Sequence, residues 1–240
     1  MDCESTNNPA TARRWSVELF GEGNPAQFFL SPVRFESAQR TTDSFAMTLS
    51  GEQRFGLGLG PNPPRRDDWT RCVLTSIPDA LYVGELRASD FWDFYSIDTA
   101  HASSDGDVEV LENDALVTEI LQVHANDSSV WPGSREIVDW FALRDPDDEL
   151  VALGALVQWE SGLHVVSSVT TLREYRGRGF AQELVQGIVA RARERGIRWL
   201  GLGVGHSNVA AQRVYQKVGF QLRENFTTYS TANPIELGNS

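Results

Sequence analysis

The segment from Thr170 to Ala181 joins a predicted strand directly to a predicted helix and has the composition of an anion-binding turn. Its glycines, Gly177 and Gly179, let backbone N–H groups approach a ligand without hindrance from a Cβ atom. Free N–H groups and the dipole at the start of a helix favour a phosphate or pyrophosphate. Arg176 and Arg178 would add charge-assisted hydrogen bonds. The segment therefore predicts a site for a phosphorylated ligand.

Two common nucleotide motifs do not fit this turn. The third glycine of a dinucleotide-binding fingerprint would fall at Gln182, and the Gly-Lys-Ser/Thr of a P-loop is missing. An earlier glycine-rich run, residues 56–60, precedes prolines at positions 61, 63 and 64. A phosphate loop must open a helix, which these prolines block. We therefore predict a flexible turn at residues 56–60, and a tight structural turn stays an alternative for the 170–181 segment taken alone.

A second pattern follows about thirty residues later, on another predicted helix. Its Ala211 and Tyr215 are four residues apart, so they share one helix face. Together the two segments resemble the GNAT family of acyl-CoA-dependent N-acetyltransferases, over residues ~106–232. The family's pyrophosphate pattern matches Arg176, Gly179 and Ala181. Its later pattern, N-x-x-A-x-x-x-Y-x-x-x-G-F, matches Asn208, Ala211, Tyr215, Gly219 and Phe220.

The resemblance implies a mixed α/β fold, acetyl-CoA or another acyl-CoA as co-substrate, and no metal. The implied cofactor-binding residues lie in the turn and on the later helix: Arg176, Gly177, Arg178, Gly179, Phe180, Ala181, Asn208 and Ala211. Pantetheine would lie where the strand Leu163–Thr171 splays from Trp199–Val204, paired with backbone near Val169 and Thr171. Tyr215 is the implied acid that protonates the CoA thiolate, with a purely packed aromatic as the alternative.

Direct acyl transfer requires a neutral amine. A lysine-like amine with a pKa of about 10.4 is only about 0.04% neutral at pH 7, which corresponds to about 4.6 kcal/mol. A general base would offset that deficit, and Glu160, His164 and His206 lie on or beside the predicted central strands. Each also fits a structural or solvent-facing role. Cys3 and Cys72 lie outside the matched region, so no acyl-cysteine intermediate is expected.

The hydrophobic periodicity predicts the elements that would position these groups. In the matched region we expect strands at Val108–Leu111, Glu149–Glu160, Leu163–Thr171, Trp199–Val204, Phe220–Arg223 and Phe226–Tyr229. Helices are expected at Asp114–His124, from Ser134 into Phe141, at Gly179–Arg195, and from Ser207 or Asn208 through Val218. Earlier in the chain, Trp15–Phe20 and Cys72–Ile77 are predicted strands.

A polar, breaker-rich stretch at residues 99–107 predicts a linker. It would separate an accessory α/β domain, residues 1–105, from the acetyltransferase domain, residues 106–240. The accessory domain could be a degenerate half of the same fold, a lid or an acceptor-specificity domain. A catalytic transferase and a non-catalytic acyl-CoA sensor are both compatible with the motifs, and the sequence does not name the acceptor amine.

The composition of the chain limits its partners. Its 240 residues carry 33 acids and 21 bases, a net charge of −12, which argues against nonspecific nucleic-acid binding. The acidic balance permits attraction of a cationic acceptor, and keeping the protein soluble is the alternative role of such surface charge. No apolar run approaches the ~18 residues of a membrane helix, and no basic-then-apolar leader opens the sequence. The expected location is therefore the cytoplasm, the expected partner is a small-molecule or peptide amine, and a homodimer is left open.

Overall fold

The computed structural model describes residues 3–76, 80–102 and 106–231. These residues form two compact units. The first comprises the described residues up to Phe94, Val204–Ser207 and those from Arg223 onward. The second comprises the described part of Tyr95–Gly203 together with Asn208–Leu222. The domains predicted at 1–105 and 106–240 stay a prediction. Residues 103–105 of the predicted 99–107 linker and Ile77, the last residue of the predicted Cys72–Ile77 strand, lie outside the described residues.

The first unit is built on a mixed sheet. It contains β1 (Glu4–Thr6), β2 (Phe35–Arg40), β3 (Phe45–Leu49), β4 (Phe55–Leu59), β5 (Arg71–Thr75), β6 (Tyr82–Val83) and the helices α1 (Pro9–Phe20) and α2 (Pro25–Phe29). Strands β1 to β4 pair antiparallel in chain order, and β4 pairs with β5 in parallel. The Phe226–Ser230 part of β13 (Gln221–Ser230) pairs antiparallel with β5. The short hairpin of β6 joins β7 (Leu86–Asp98).

Helix α1 corrects the predicted strand at Trp15–Phe20. Asn8 caps the helix, because its side chain accepts hydrogen bonds from the backbone N–H groups of Ala10 and Thr11. Pro9 follows at the first helical position, where it suits the required φ. Trp15 is buried, and the guanidinium of Arg40 lies 4.7 Å from the centre of its ring. The local cap and the packing of one helix face decide the conformation here.

The glycine-rich run at residues 56–60 is not a flexible turn, because most of it forms the buried strand β4. The glycines are needed for packing instead. The indole of Trp69 lies so close to Gly56 that a Cβ there would be 2.1 Å from Trp69 Cδ2. Trp69 is itself fixed, since it is buried and its Nε1 donates a 2.9 Å hydrogen bond to Thr48 Oγ1.

Replacing Gly56 by alanine is therefore expected to destabilise the protein by about 2 kcal/mol, because the new methyl group overlaps a ring that cannot move away. Urea unfolding of the two proteins measures the difference. Gly205→Ala is the matched control, since a Cβ at that position of β12 (Trp199–Gly205) has no neighbour within 4 Å. Equal midpoints for Gly56→Ala and Gly205→Ala would contradict the packing argument.

The second unit is a mixed sheet with three helices. Besides β12 as far as Gly203, it contains β8 (Glu109–Val110), β9 (Ile137–Arg144), β10 (Leu150–Gln158), β11 (His164–Thr171), α3 (Asp114–His124), α4 (Phe180–Glu194) and α5 (Val209–Val218). Strands β8 to β11 pair antiparallel in chain order, and β11 pairs with β12 in parallel. Helix α4 packs on β9, β10 and β11 and also contacts α5.

Most predicted elements of the second unit are confirmed within a few residues, and α3 has the predicted bounds. Two predictions are wrong. The segment after Ser134 forms strand β9 instead of a helix, because Ile137–Arg144 pairs along β10, for example Ala142 with Leu153. The two predicted strands at 220–223 and 226–229 are one strand, β13. In both places, pairing with a distant strand sets the local structure.

Candidate active site

A cavity of about 640 Å³ opens in the second unit between the start of α4 and one face of α5. Its volume is within the range of small-molecule sites. Residues from α3, β11, the turn before α4, and α5 line it: His124, Ala125, Val169, Thr170, Thr171, Tyr175, Arg176, Gly177, Gly179, Phe180, Ala181, Gln182, Asn208, Ala210, Ala211, Arg213, Val214, Tyr215 and Lys217.

The turn before α4 presents unpaired backbone donors to this cavity. Among the described residues, no acceptor lies within hydrogen-bond distance of the N–H groups of residues 177–181. Gly177 and Gly179 have φ angles of +79° and +96°, and a Cβ at either position would meet nothing within 4 Å. Both glycines are therefore needed for the backbone conformation. The open donors at the start of a fifteen-residue helix form an anion-binding surface.

Arg176 fixes the shape of this turn. Its Nε donates a 3.1 Å hydrogen bond to the Thr171 carbonyl oxygen, and its Nη2 donates a 3.0 Å bond to the His124 carbonyl oxygen. The His124 ring adds a third link, because its Nδ1 accepts a 3.1 Å hydrogen bond from the Arg173 backbone N–H. A guanidinium has five N–H donors, so Arg176 retains donors for a ligand while it ties the end of α3 to the turn.

The charge of the cavity lining is opposite to the charge of the chain. The lining includes Arg176, Arg213 and Lys217 but no aspartate or glutamate, whereas the chain carries a net charge of −12. Cations held near unpaired N–H groups, without carboxylates, favour an anionic ligand. This donor set fits the phosphates of a coenzyme A molecule.

Strands β11 and β12 separate as predicted. They pair in parallel at His164 with Leu200 and at Val165 with Gly201, and no further pairing between them exists in the described chain. On its other side, β11 contains a bulge, since Ser168 and Val169 together lie opposite one residue of β10. Ser168 has a φ of +54°, and its Oγ lies 2.6 Å from Ser128 Oγ. The bulge leaves Val169, Thr170 and Thr171 on the wall of the cavity.

Tyr215 lies on the α5 wall of the cavity and is 8% exposed. Burial raises the pKa of its phenol to about 12, so the hydroxyl keeps its proton at neutral pH. Its ring packs edge-on against Phe220, with the ring centres 6.2 Å apart. Asn208 positions the helix, because its side chain caps α5 by accepting a 3.1 Å hydrogen bond from the Ala211 N–H.

The structure gathers nearly all of the predicted cofactor-binding residues around one cavity. Val169, Thr171, Arg176, Gly177, Gly179, Phe180, Ala181, Asn208 and Ala211 all line it, together with Tyr215. Arg178 does not, since its guanidinium lies 5.4 Å from the centre of the Tyr175 ring. The roles assigned to these residues stay predictions.

None of the three predicted bases lines this cavity. Glu160 is exposed in the hairpin turn between β10 and β11. His164 begins β11, at the end of the strand opposite Thr171. His206 belongs to the first unit, where its Nδ1 lies 2.9 Å from Oδ1 of the buried Asp93. Asn225 Nδ2 donates a 2.6 Å hydrogen bond to the same oxygen.

His164 gives the structure a testable pH dependence. Burial lowers the pKa of its imidazole from the ordinary value of 6.5, with the charge of Arg195 acting in the same direction. A group with a depressed pKa in the folded state stabilises the fold above its unfolded pKa, and this contribution is lost as the pH falls. Between pH 7 and 5, wild type should therefore lose more Tm than His164→Gln. His101→Gln, which removes an exposed histidine, is the control, and parallel Tm curves for wild type and His164→Gln would contradict the burial effect.

Four charged or titratable residues of the lining were missed from the sequence: His124, Tyr175, Arg213 and Lys217. Arg213 and Lys217 could have been recognised, because they are four residues apart on α5 and therefore share a face of the helix near Tyr215. His124 had no such pattern, because it comes from the end of α3, about fifty residues before the turn that it contacts.

Among residues 3–76, 80–102 and 106–231, no group of three or more His, Cys, Asp and Glu side chains is arranged to hold a metal ion. Within the same described ranges, every helix is too short or too polar to cross a membrane.

Comparison with known proteins identifies the class of the second unit. Residues 109–220 match the model of the acetyltransferase (GNAT) family, so this part of the chain is a GNAT acetyltransferase domain. The family resemblance drawn from the two motifs is confirmed. The members of this family are acetyltransferases.

One curated relative is YsnE of Bacillus subtilis (strain 168), described as an uncharacterized N-acetyltransferase. It is 32% identical over 96 residues, which cover 39% of this chain and 62% of the relative. The chain thus spans less than two thirds of that protein's length.

Solved structures show the same fold. A GCN5-related N-acetyltransferase from Sphaerobacter thermophilus has a TM-score of 0.55 at 16% identity, covering 99% of this chain and 98% of its own. Another, from Kribbella flavida, has a TM-score of 0.55 at 15% identity, covering 77% and 85%. At these identities the likeness establishes the fold alone, and the predicted mixed α/β GNAT fold is confirmed.

Proposed function

We propose that this protein transfers an acetyl or other short acyl group from acyl-CoA directly to an amine of a small molecule or peptide. The observation that carries the proposal is the cluster of unpaired N–H groups at residues 177–181, which faces a cavity free of carboxylates. A pyrophosphate fits these donors, and the remaining N–H groups of Arg176 would add charge-assisted bonds. Membership of the GNAT family supplies the reaction class.

The separated strands provide the rest of the donor site. Pantetheine would lie beside the unpaired part of β11 and bond with backbone near Val169 and Thr171, the two predicted residues of that strand on the cavity wall. The bulge at Ser168 and Val169 interrupts the register of β11 with β10 in this same part of the strand. A backbone N–H in this part of β11 would stabilise the negative charge that develops on the thioester oxygen.

The proton transfers follow from the chemistry of the amine and the thiolate. The attacking amine must be neutral, and a base or a site that lowers its pKa must supply about 4.6 kcal/mol for a lysine-like amine at pH 7. Glu160, His164 and His206 remain the candidates for the base. The leaving thiolate needs a proton, and Tyr215 is the proposed donor because its buried hydroxyl is protonated at neutral pH.

Incubation of the purified protein with acetyl-CoA and a broad panel of amines tests the function. Release of the free CoA thiol is measured, and acetylated products are identified by mass spectrometry. We expect turnover with at least one primary amine. Tight CoA binding without turnover across the panel would overturn the enzymatic proposal.

A non-catalytic acyl-CoA sensor is the second candidate. The observation in its favour is that none of the three base candidates lines the cavity. Titration calorimetry with acetyl-CoA, followed by an assay for free CoA, separates the two. A sensor binds the thioester and releases no thiol, whereas a transferase releases thiol when an acceptor is present.

The acidic balance of the chain is compatible with a cationic acceptor. The lining carries Arg176, Arg213 and Lys217 and no carboxylate, so these residues repel a cationic amine. An acceptor of that kind would therefore approach the thioester away from these side chains. The amine panel should include neutral as well as polycationic members to test this preference.

A further inference from the structure

We propose that Ser128 is a positioning residue for acyl transfer, because its hydroxyl group holds the bulge of β11 beside which the thioester would react. The inference rests on the proposed function, since it concerns the backbone N–H of β11 that would stabilise the thioester oxygen. Ser128 belongs to the loop after α3 and is not part of the cavity lining. It acts through Ser168 and not by contact with the acyl group.

Ser168 adopts a backbone conformation that serine disfavours. Its φ is +54°, in the left-handed region. Among the described residues, the other non-glycine residue with a positive φ is Asp148, which lies in the turn between β9 and β10, where aspartate tolerates this conformation. Ser168 instead lies inside a strand. Such a conformation persists only where the surrounding structure imposes it, and it often marks a functional site.

The loop after α3 imposes this conformation on Ser168. Ser168 Oγ lies 2.6 Å from Ser128 Oγ, and the Ser128 hydroxyl donates a 2.9 Å hydrogen bond to the Val130 carbonyl oxygen. Because the Ser128 proton is used in that bond, Ser168 is the donor between the two hydroxyl groups. Its Oγ also lies 3.4 Å from the Val130 carbonyl oxygen. The hydroxyl of the strained residue is therefore held by two acceptors from one loop.

The loop is itself fixed, so it can restrain Ser168. Trp131 Nε1 donates a 3.0 Å hydrogen bond to the Ser128 carbonyl oxygen. The Ser128 N–H donates a 3.0 Å bond to the carbonyl oxygen of Ala125, and the side chain of Val130 is buried. Both the backbone donor and the backbone acceptor of Ser128 are thus occupied, which leaves its hydroxyl in a defined place.

A neighbouring hydroxyl pair provides a matched comparison. Ser129 Oγ lies 2.8 Å from Ser167 Oγ, so the same loop also bonds to β11 one residue before the bulge. Ser167 remains in register with β10, opposite Ala155, and its φ is not positive. Loss of the Ser129 hydroxyl would therefore remove a similar hydrogen bond without releasing a strained residue.

The bulge matters for the reaction because of the residues that follow it. A bulge bends its strand and re-aims the groups beside it, and Val169, Thr170 and Thr171 come next, on the wall of the cavity. If Ser168 relaxed to an extended φ, the N–H groups of these residues would change direction. A donor stabilises a developing oxyanion only when it is already in place, so the release of Ser168 should lower kcat. Binding of CoA should change little, since the turn before α4 supplies the pyrophosphate donors.

Ser128→Ala is expected to lower kcat about fivefold, because a single hydrogen bond holds the bulge. The Kd for acetyl-CoA should stay within about twofold of wild type. Steady-state kinetics with acetyl-CoA and the amine identified from the panel give kcat, and calorimetry with acetyl-CoA gives Kd. Ser129→Ala is the control and should retain the kcat of wild type.

Ser168→Gly separates a positioning role from a general loss of structure. Glycine adopts a positive φ without strain, so the bulge in this variant no longer depends on the Ser128 hydroxyl. Adding Ser128→Ala to Ser168→Gly should therefore change kcat less than about twofold, although the same substitution lowers kcat about fivefold in wild type. A double-mutant cycle of this kind measures the coupling of the two residues.

The outcomes distinguish this inference from the proposed function. An unchanged kcat in Ser128→Ala would overturn the inference while acyl transfer stands. Equal losses in Ser128→Ala and Ser129→Ala, or a fivefold loss that persists in the Ser168→Gly background, would also overturn it, because the loop would then act without the bulge. A parallel loss of acetyl-CoA affinity would assign Ser128 to binding and overturn it as well. If wild type transfers no acyl group to any amine, the proposed function fails and the inference fails with it.

Discussion

Replacing Tyr215 by phenylalanine is expected to lower kcat at least about 100-fold, with less than about a twofold change in the affinity for acetyl-CoA. General acid catalysis by a positioned side chain contributes about 10²–10⁴-fold, and this substitution removes only the donating hydroxyl. The Tyr215 hydroxyl has no hydrogen-bond partner among the described residues, and its ring keeps the contact with Phe220. The variant should therefore fold with nearly the Tm of wild type.

The protonation state of Tyr215 suits this role. Because burial raises the phenol pKa to about 12, the acid form persists across the ordinary assay range, and no alkaline loss of kcat below about pH 11 should trace to this residue. A thiolate released in the same buried place is disfavoured by the same desolvation, which raises the thiol pKa.

Steady-state kinetics with a saturating acceptor, together with calorimetry for acetyl-CoA, make the measurement. Tyr82→Phe is the control, because Tyr82 is an exposed tyrosine of the first unit and loss of its hydroxyl should leave kcat unchanged. An unchanged kcat in Tyr215→Phe would remove the residue from the mechanism. A parallel loss of kcat and acetyl-CoA affinity would instead indicate a binding role.

Replacing Gly179 by tryptophan is expected to weaken CoA binding at least about 100-fold. A Cβ at this position enters open space next to the unpaired N–H groups, so an indole would occupy the place proposed for the pyrophosphate. A loss of this size is about 2.7 kcal/mol. It would appear in the Kd for CoA measured by calorimetry and as a raised KM for acetyl-CoA.

Backbone strain must be separated from blockage of the cavity, because Gly179 has a φ of +96° that side chains disfavour. Gly196→Trp is the matched control. Gly196 has a φ of +75° just after α4, a Cβ there would also meet open space, and the residue does not line the cavity. Both variants should lose similar stability, but Gly196→Trp should bind CoA normally. Intact CoA binding by Gly179→Trp would overturn the proposed placement of the pyrophosphate.

Local interactions explain why much of the second unit could be predicted. Helix α5 begins where Asn208 caps the N–H of Ala211 and ends at Gly219, whose φ is +108°. These signals operate within a few residues, so they are readable in the sequence. Gly177 and Gly179, in the turn before α4, can be recognised for the same reason. They belong to the motif on which the resemblance to the GNAT family, and hence the predicted fold, was based.

Contacts between distant residues explain two of the errors. The sequence of residues 56–60 is typical of a turn. In the structure these residues form a strand, and Trp69, thirteen residues beyond Gly56, packs against it. The sequence after Ser134 is typical of a capped helix. In the structure, Ile137–Arg144 forms a strand that pairs with β10. Neither contact can be predicted from the local sequence pattern, because a hydrophobic strand and one face of a helix contain the same residue types.

The sequence by itself determined the family, through its resemblance to the GNAT acetyltransferases. Short local spacings marked the turn before α4 as a predicted anion-binding site and Tyr215 as the candidate acid. The tertiary structure decided which of these groups share a cavity. It brought His124 and Arg176 together through the His124 carbonyl, placed Arg213 and Lys217 on the cavity wall, and left Glu160, His164 and His206 outside that wall. The physical reason is that a binding site is defined by distances between separate elements, and packing fixes those distances only once the sheet and its helices have assembled.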